Sequence, residues 1–205
     1  MEREVLLNQK YLKFIDMKKV MIVAVIAAFG LVSCKDNNKA LEETPQVATE
    51  HVEHQANEAK YEIASLTRSE VSKGVLDSYF DIKEALQEDD AIEAKKETVN
   101  LLKELDAFKS ENAEASALAK EMKREAEGML KEDLKVQREH FEPLSHQVKE
   151  FINIVGSDRV VYEQYCPMYN ENKGGMWLSD EEELLNPLFG NMMLRCGATK
   201  LKMQP

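Results

Sequence analysis

The sequence predicts an all-α protein, an antiparallel up-down four-helix bundle with an irregular, Cys/Met-containing C-terminal extension. Three observations lead there. Apolar residues recur at helical spacing in four successive stripes between Leu66 and Val155. Only short polar breaks separate the stripes, which forces neighbouring helices to lie side by side. Past Gly156 the helical period stops and the chain becomes rich in Gly, Pro, Cys and Met. The chain has 205 residues, 43 % of them apolar and 32 % charged, enough for one domain plus flanking segments.

The first stripe is Val71, Val75, Tyr79, Ile82 and Leu86, and the second Ile92, Val99, Leu102, Leu105 and Phe108. Ala115, Leu118, Met122, Met129 and Leu130 make the third; Phe141, Leu144, Val148, Phe151, Ile152 and Val155 the fourth. Each sets its apolar groups on one face that must be buried. The breaks fall at Gln87–Asp90, at Ser110–Asn112 and near Lys131–Gln137. The third break has no Gly or Pro, so one long bent helix is an alternative there. Pro143 fits a first turn better than a helix interior, which starts the fourth helix near Glu142. Gly156 supplies its C-terminal stop. Beyond it, Val160, Val161 and Tyr162 read as a short extended segment, Gly174-Gly175 as a turn, and Asp180–Glu183 as the cap of a short helix.

The N-terminal third reads as targeting and tether. Lys18-Lys19 precede an apolar run of twelve residues, Val20–Leu31, too short to span a bilayer. Leu31-Val32-Ser33-Cys34 follows, and resembles the bacterial lipobox, in which the cysteine takes a lipid and becomes the new N-terminus. The resemblance implies lipidation at Cys34, a membrane contact through that lipid, and a place in the bacterial envelope. Lys35 rather than aspartate after it favours the outer membrane. Residues 17–33 are then the signal peptide, residues 1–16 an upstream extension ahead of the start at Met17, and residues 34–65 an acidic flexible tether. His51 and His54 within it read as solvated side chains. The bundle occupies residues 66–156 and the Cys/Met segment residues 157–205.

A net charge of -11 excludes nucleic acid as a partner, because that requires a basic footprint. No catalytic triad order, nucleophile elbow or phosphate loop is present, so no enzymatic activity is expected.

The remaining chemistry lies in the C-terminal segment. Cys166 and Met168 flank a proline, and Met193 and Cys196 lie three apart. Two thiolates and two thioethers form a soft donor set that selects Cu(I) over hard cations. His140 and His146 are additional imidazole donors if the segment folds back over the fourth helix. The alternative is a disulfide between Cys166 and Cys196, the only cysteines left once Cys34 is acylated. It would close a loop of about 29 residues and stabilise the fold by roughly 3–4 kcal/mol.

Several motifs carry a wider resemblance: Gln137-Arg138 with Phe141 and Leu144-Ser145; Tyr165-Cys166-Pro167-Met168; Trp177-Leu178-Ser179; Asn186-Pro187 with Phe189-Gly190; and Met193-Leu194-Arg195-Cys196-Gly197. Over roughly residues 70–199 the chain resembles an uncharacterised domain family. Its members are exported lipoproteins and the C-termini of periplasmic adaptor subunits of copper/silver efflux pumps. Leu188 stands where that family usually has an aromatic. The resemblance implies binding of Cu(I) or Ag(I), support of heavy-metal efflux or resistance, and a periplasmic efflux adaptor or other envelope protein as partner. The competing expectation is a non-catalytic structural or adaptor module stapled by its disulfide.

Overall fold

The computed structural model describes residues 61–205. The upstream extension, signal peptide, Cys34 and most of the tether, with His51 and His54, lie outside the described residues. No described helix is long and apolar enough to cross a membrane.

Four long helices form where the periodicity places them. They are α1 (Lys73–Gln87), α2 (Ala91–Ala107), α3 (Ala113–Gly128) and α4 (Leu134–Val155). Side-chain oxygens cap three of their N-termini. Asp90 accepts from the backbone N–H groups of Ile92 and Glu93, Asn112 from those of Glu114 and Ala115, and Asp133 from that of Val136. α1 packs on α2, α2 on α3 and α3 on α4, the succession that short connections impose. Tyr79 stacks on Phe141 with ring centroids 5.0 Å apart, and Phe108 meets Phe151 edge-on at 5.0 Å.

Two helical details differ from the expectation. α4 begins at Leu134, not near Glu142, and carries Pro143 inside it. Asp133 caps that earlier start, and the apolar face running from Phe141 to Ile152 buries enough surface to hold the helix through the proline. α2 presents a different face. Ile92 is 68 % and Val99 40 % exposed, while Ala94, Thr98, Leu101 and Leu105 line the core. The Thr98 hydroxyl donates to the Ala94 carbonyl at 2.7 Å, so its polar group is paired and a weakly apolar face is the one buried.

The all-α expectation is wrong. The C-terminal part is not an irregular extension but the larger share of a four-stranded mixed sheet. Its strands are β1 (Glu62–Ser65), β2 (Val161–Cys166), β3 (Gly175–Ser179) and β4 (Ala198–Gln204), in the order β1-β4-β2-β3. β2 runs antiparallel to both β3 and β4, and β1 parallel to β4. β1 falls inside the stretch read as tether, so residues 62–65 belong to the domain. β-branched and aromatic residues on β2, and a five-residue buried run on β3, satisfy their backbone groups by pairing rather than by coiling over the bundle.

β3 packs against α4 and α1. Buried polar groups fix that seam. The Tyr79 hydroxyl lies 2.6 Å from Ser145 Oγ and accepts from the Leu178 N–H at 3.0 Å. Buried Lys83 reaches Asp180 at 3.0 Å and donates to Ser179 Oγ at 3.3 Å. Asp180–Glu183 therefore forms no helix; its carbonyls at residues 181–183 accept from the buried Gln164 amide instead. Trp177 is fully buried, with Nε1 donating to Gln164 Oε1 at 2.9 Å. Gly156, at φ +86°, ends α4 as expected.

Candidate functional site

The two cysteines arrive from opposite ends of the sheet segment. Cys166 is the last residue of β2 and is buried. Cys196 lies two residues before β4 and is partly exposed. The β2–β4 register pairs Tyr165 with Ala198, which carries residue 196 past the end of β2. Gly197 makes this passage possible. Its φ is +138°, and a Cβ there would stand 2.6 Å from the Tyr165 carbonyl oxygen and 3.3 Å from the Trp177 ring. Asn186 anchors the approach. Its side chain donates to the Cys196 carbonyl at 2.9 Å, its own N–H donates to the Leu194 carbonyl at 2.7 Å, and its Oδ1 accepts from the Leu188 N–H at 2.8 Å.

The result is two sulfurs 2.7 Å apart. Hydrogen bonding to Cys166, then burial, then repulsion from a neighbouring thiolate push the Cys196 thiol up to about 11, against a pull from the Met168 backbone N–H. At neutral pH it is protonated, so any ion binding at this sulfur must displace that proton.

The other expected donors are arranged differently. Met168 starts the loop after β2 and is 49 % exposed. Its backbone N–H faces the Cys196 sulfur. Met193 is half-buried and is tied to the pair by its carbonyl, which accepts the Cys196 N–H at 3.0 Å. His140 and His146 do not join the cysteines. His140 Nδ1 lies 3.0 Å from Glu125 on α3, and His146 Nε2 lies 3.0 Å from Glu142 one turn earlier on α4. Burial opposes ionisation of Glu125, but hydrogen bonds from His140 and Arg124 hold its carboxyl below the usual range. Among the described residues no group of three or more His, Cys, Asp or Glu is close enough to hold a metal ion.

A groove of about 810 Å³ lies beside the sulfur pair in sequence and shares its loops. Its floor is the first half of α4, including Leu134, Arg138 and Glu142. One wall is Tyr169 with Asn170, in the short helical turn α5 (Tyr169–Asn172); the other is Leu188, Phe189 and Met192. Arg138 joins floor to wall. Its Nε donates to the Pro187 carbonyl at 2.8 Å, and its other arm donates to the Leu86 carbonyl at 2.7 Å and pairs with Asp89. Burial, then the charges of Glu142 and Glu139, push the Tyr169 phenol up to about 12, against a pull from Arg138. Periodicity alone gave no sign of this groove; Arg138, Asn186 and Phe189 stand out only within the motifs. A second cavity of about 670 Å³ sits at the α2–α3 connection, beside Lys109, Lys120 and Lys123.

No curated protein and no solved structure matches the chain. Residues 75–159, from α1 through α4, match the model of a domain family described as "Protein of unknown function (DUF3347)"; the match ends before Tyr165–Met168 and every motif after it.

Proposed function

We propose that this chain is a lipid-anchored, non-catalytic envelope protein that binds Cu(I) or Ag(I) at Cys166 and Cys196 and supports heavy-metal efflux or resistance. The observation behind it is the meeting of two thiols from segments thirty residues apart, one buried and one open to solvent. Two thiolates satisfy a soft monovalent ion, whereas a hard cation needs an oxygen cage. Met168, half-exposed beside the pair, is the nearest thioether in sequence for a third contact. Seating an ion between the sulfurs requires them to part. Cys196, in an irregular connection, is the partner with room to do so. Because the Cys196 proton must leave, uptake strengthens as pH rises towards about 11. The lipid at Cys34 would hold the domain at the membrane, within reach of a periplasmic efflux adaptor.

The test is anaerobic competition between the reduced protein and a chromogenic Cu(I) chelator. One equivalent should bind tightly, and Cys166→Ser and Cys196→Ser should each abolish it. A reduced protein that takes no copper from the chelator refutes the reading.

The same proximity favours a second reading, a disulfide between Cys166 and Cys196 in a structural or adaptor module. An oxidising envelope makes that bond the ordinary fate of two adjacent thiols. Alkylation of protein taken from cells without reductant, followed by mass spectrometry, separates the two. A labelled Cys196 counts against the staple.

A further inference from the structure

The two walls of the groove are the two segments that the sulfur pair joins. Tyr169 stands three residues after Cys166, and Phe189 to Met193 lead into Cys196. Beyond the sulfurs, the walls also meet where Tyr169 lies edge-on to Phe189, with centroids 6.0 Å apart. Each is separately moored to α4: the Tyr169 hydroxyl donates to the Arg138 carbonyl at 3.1 Å, and Arg138 holds the Pro187 carbonyl.

The wall that begins at Cys166 is strained. Asn170, Glu171 and Asn172 are all left-handed, at φ +49°, +58° and +65°, and none is glycine. Single Asn residues visit this region; three successive non-glycine residues, with Glu at the centre, do so only when their surroundings over-determine them. The restraints are Tyr169 on one side, the Lys173 and Gly174 turn bonds on the other, and the fixed end of β2 at Cys166.

We propose that Cys166 and Cys196 form a thiol–disulfide switch whose output is the conformation of this groove. Closing the bond fixes both walls to one point and preserves the left-handed turn. Opening it leaves the Cys196 wall held by Asn186, by Arg138 and by the Asn191 N–H on Asp89, and leaves the turn, left-handed also with the sulfurs unjoined, free to open more often. Two thiols give up their S–H bonds to form one S–S bond. The two electrons and two protons pass to a small-molecule or protein disulfide, which is reduced to two thiols. The inference rests on the second reading above, that the pair closes, and not on metal uptake.

The experiment is hydrogen exchange read by mass spectrometry on the full chain in detergent. One sample is oxidised with glutathione disulfide, one is reduced with dithiothreitol, and a Cys196→Ser variant is treated both ways. Reduction should accelerate exchange in residues 167–174 and 188–196 by about tenfold or more, with α2 and α3 unchanged. Cys196→Ser should match the reduced protein under both conditions. Trp177, the single tryptophan, lies against Gly197, and its fluorescence should follow the same change. If the intact mass shows the bond formed and both segments exchange alike in the two states, the switch is refuted and the staple stands. If no bond forms with the disulfide reagent, the switch falls together with the reading beneath it.

Discussion

The helices and the sheet of this domain are held by different kinds of contact. Along α1 to α4 the core is aliphatic and aromatic, contributed at many positions of similar type. In the sheet segment the apolar contribution is concentrated in a few residues, with Trp177 the largest. Named polar pairs do the positioning: Tyr79 to Leu178, Lys83 to Asp180, Gln164 to Trp177, Asn186 to Cys196. Spread apolar contacts tolerate exchange of one residue for another of similar size. Single polar pairs do not, because a lost partner leaves a buried group unpaired. The sheet should therefore be the part of the molecule where single substitutions are felt most.

The largest effect should come from Trp177→Ala. It opens a cavity and leaves Gln164 Oε1 without its donor, so it should destabilise by about 3–5 kcal/mol. Urea unfolding monitored by circular dichroism measures this. Leu101→Ala in the helices should fall in the same assay at about 2–5 kcal/mol, with its cost set by cavity alone. If Trp177→Ala costs no more than about 1 kcal/mol, the sheet is not part of the same cooperative unit, and the contrast drawn here dissolves.

Tyr79→Phe sharpens the comparison, because it changes one hydroxyl and keeps the stack on Phe141. The Leu178 N–H and Ser145 Oγ then lose a buried partner, at about 1–3 kcal/mol. The loss should appear as faster exchange of the Leu178 amide on β3 while α2 and α3 keep their protection. Uniformly faster exchange would mean that the hydroxyl serves the helices as much as the sheet.

How much of this could be read beforehand follows the same division. Helical spacing located all four helices, since one apolar stripe suffices to mark a helix. It misplaced the buried face of α2, because the exposed Ile92 and Val99 are more apolar than the buried Ala94 and Thr98. The sheet hid for separate reasons. β3 is buried along its whole length and shows no alternation. β4 alternates at Thr199, Leu201 and Met203, but lysines between them gave it a polar average. β1 finds its partner about 140 residues later, a pairing with no local trace. Cys166 and Cys196 were recognisable by type; that they meet depends on the β2–β4 register and on Gly197. His140 and His146, possible additional donors by sequence, each lie beside a carboxylate, on α3 and on α4 itself, a partner that helical spacing alone does not reveal for His140.

Pro143→Ala tests the helical side with the opposite sign. Proline in a helix interior is about 3 kcal/mol less favourable than alanine, and part of that is offset by its smaller unfolded-state entropy. The substitution should raise stability by about 1–2 kcal/mol in the same urea assay. A loss of stability would mean that the half-buried ring packs in a way alanine cannot replace.

The smallest effect should be electrostatic and should lie where helices and sheet segment meet. Burial works against ionisation of Asp89, yet hydrogen bonds from Arg138 and from the Asn191 N–H hold its carboxyl below the usual range. The folded state therefore binds this proton less tightly than the unfolded chain does. The stabilisation is complete above the ordinary carboxylate pKa and is lost as pH falls through the lowered folded value. Asp89→Asn removes that dependence but offers a single oxygen, so one of the two donors, Arg138 at Oδ1 or the Asn191 N–H at Oδ2, loses its acceptor. Wild type minus variant, followed by thermal unfolding from pH 7 downwards, should give a difference that shrinks as the pH falls below about 4. Because the carboxylate is a third exposed, solvent screens it and the difference stays small. A difference that is flat across that range would mean that Arg138 is positioned by the Leu86 and Pro187 carbonyls alone, and that the seam between helices and sheet segment is fixed by backbone groups without help from charge.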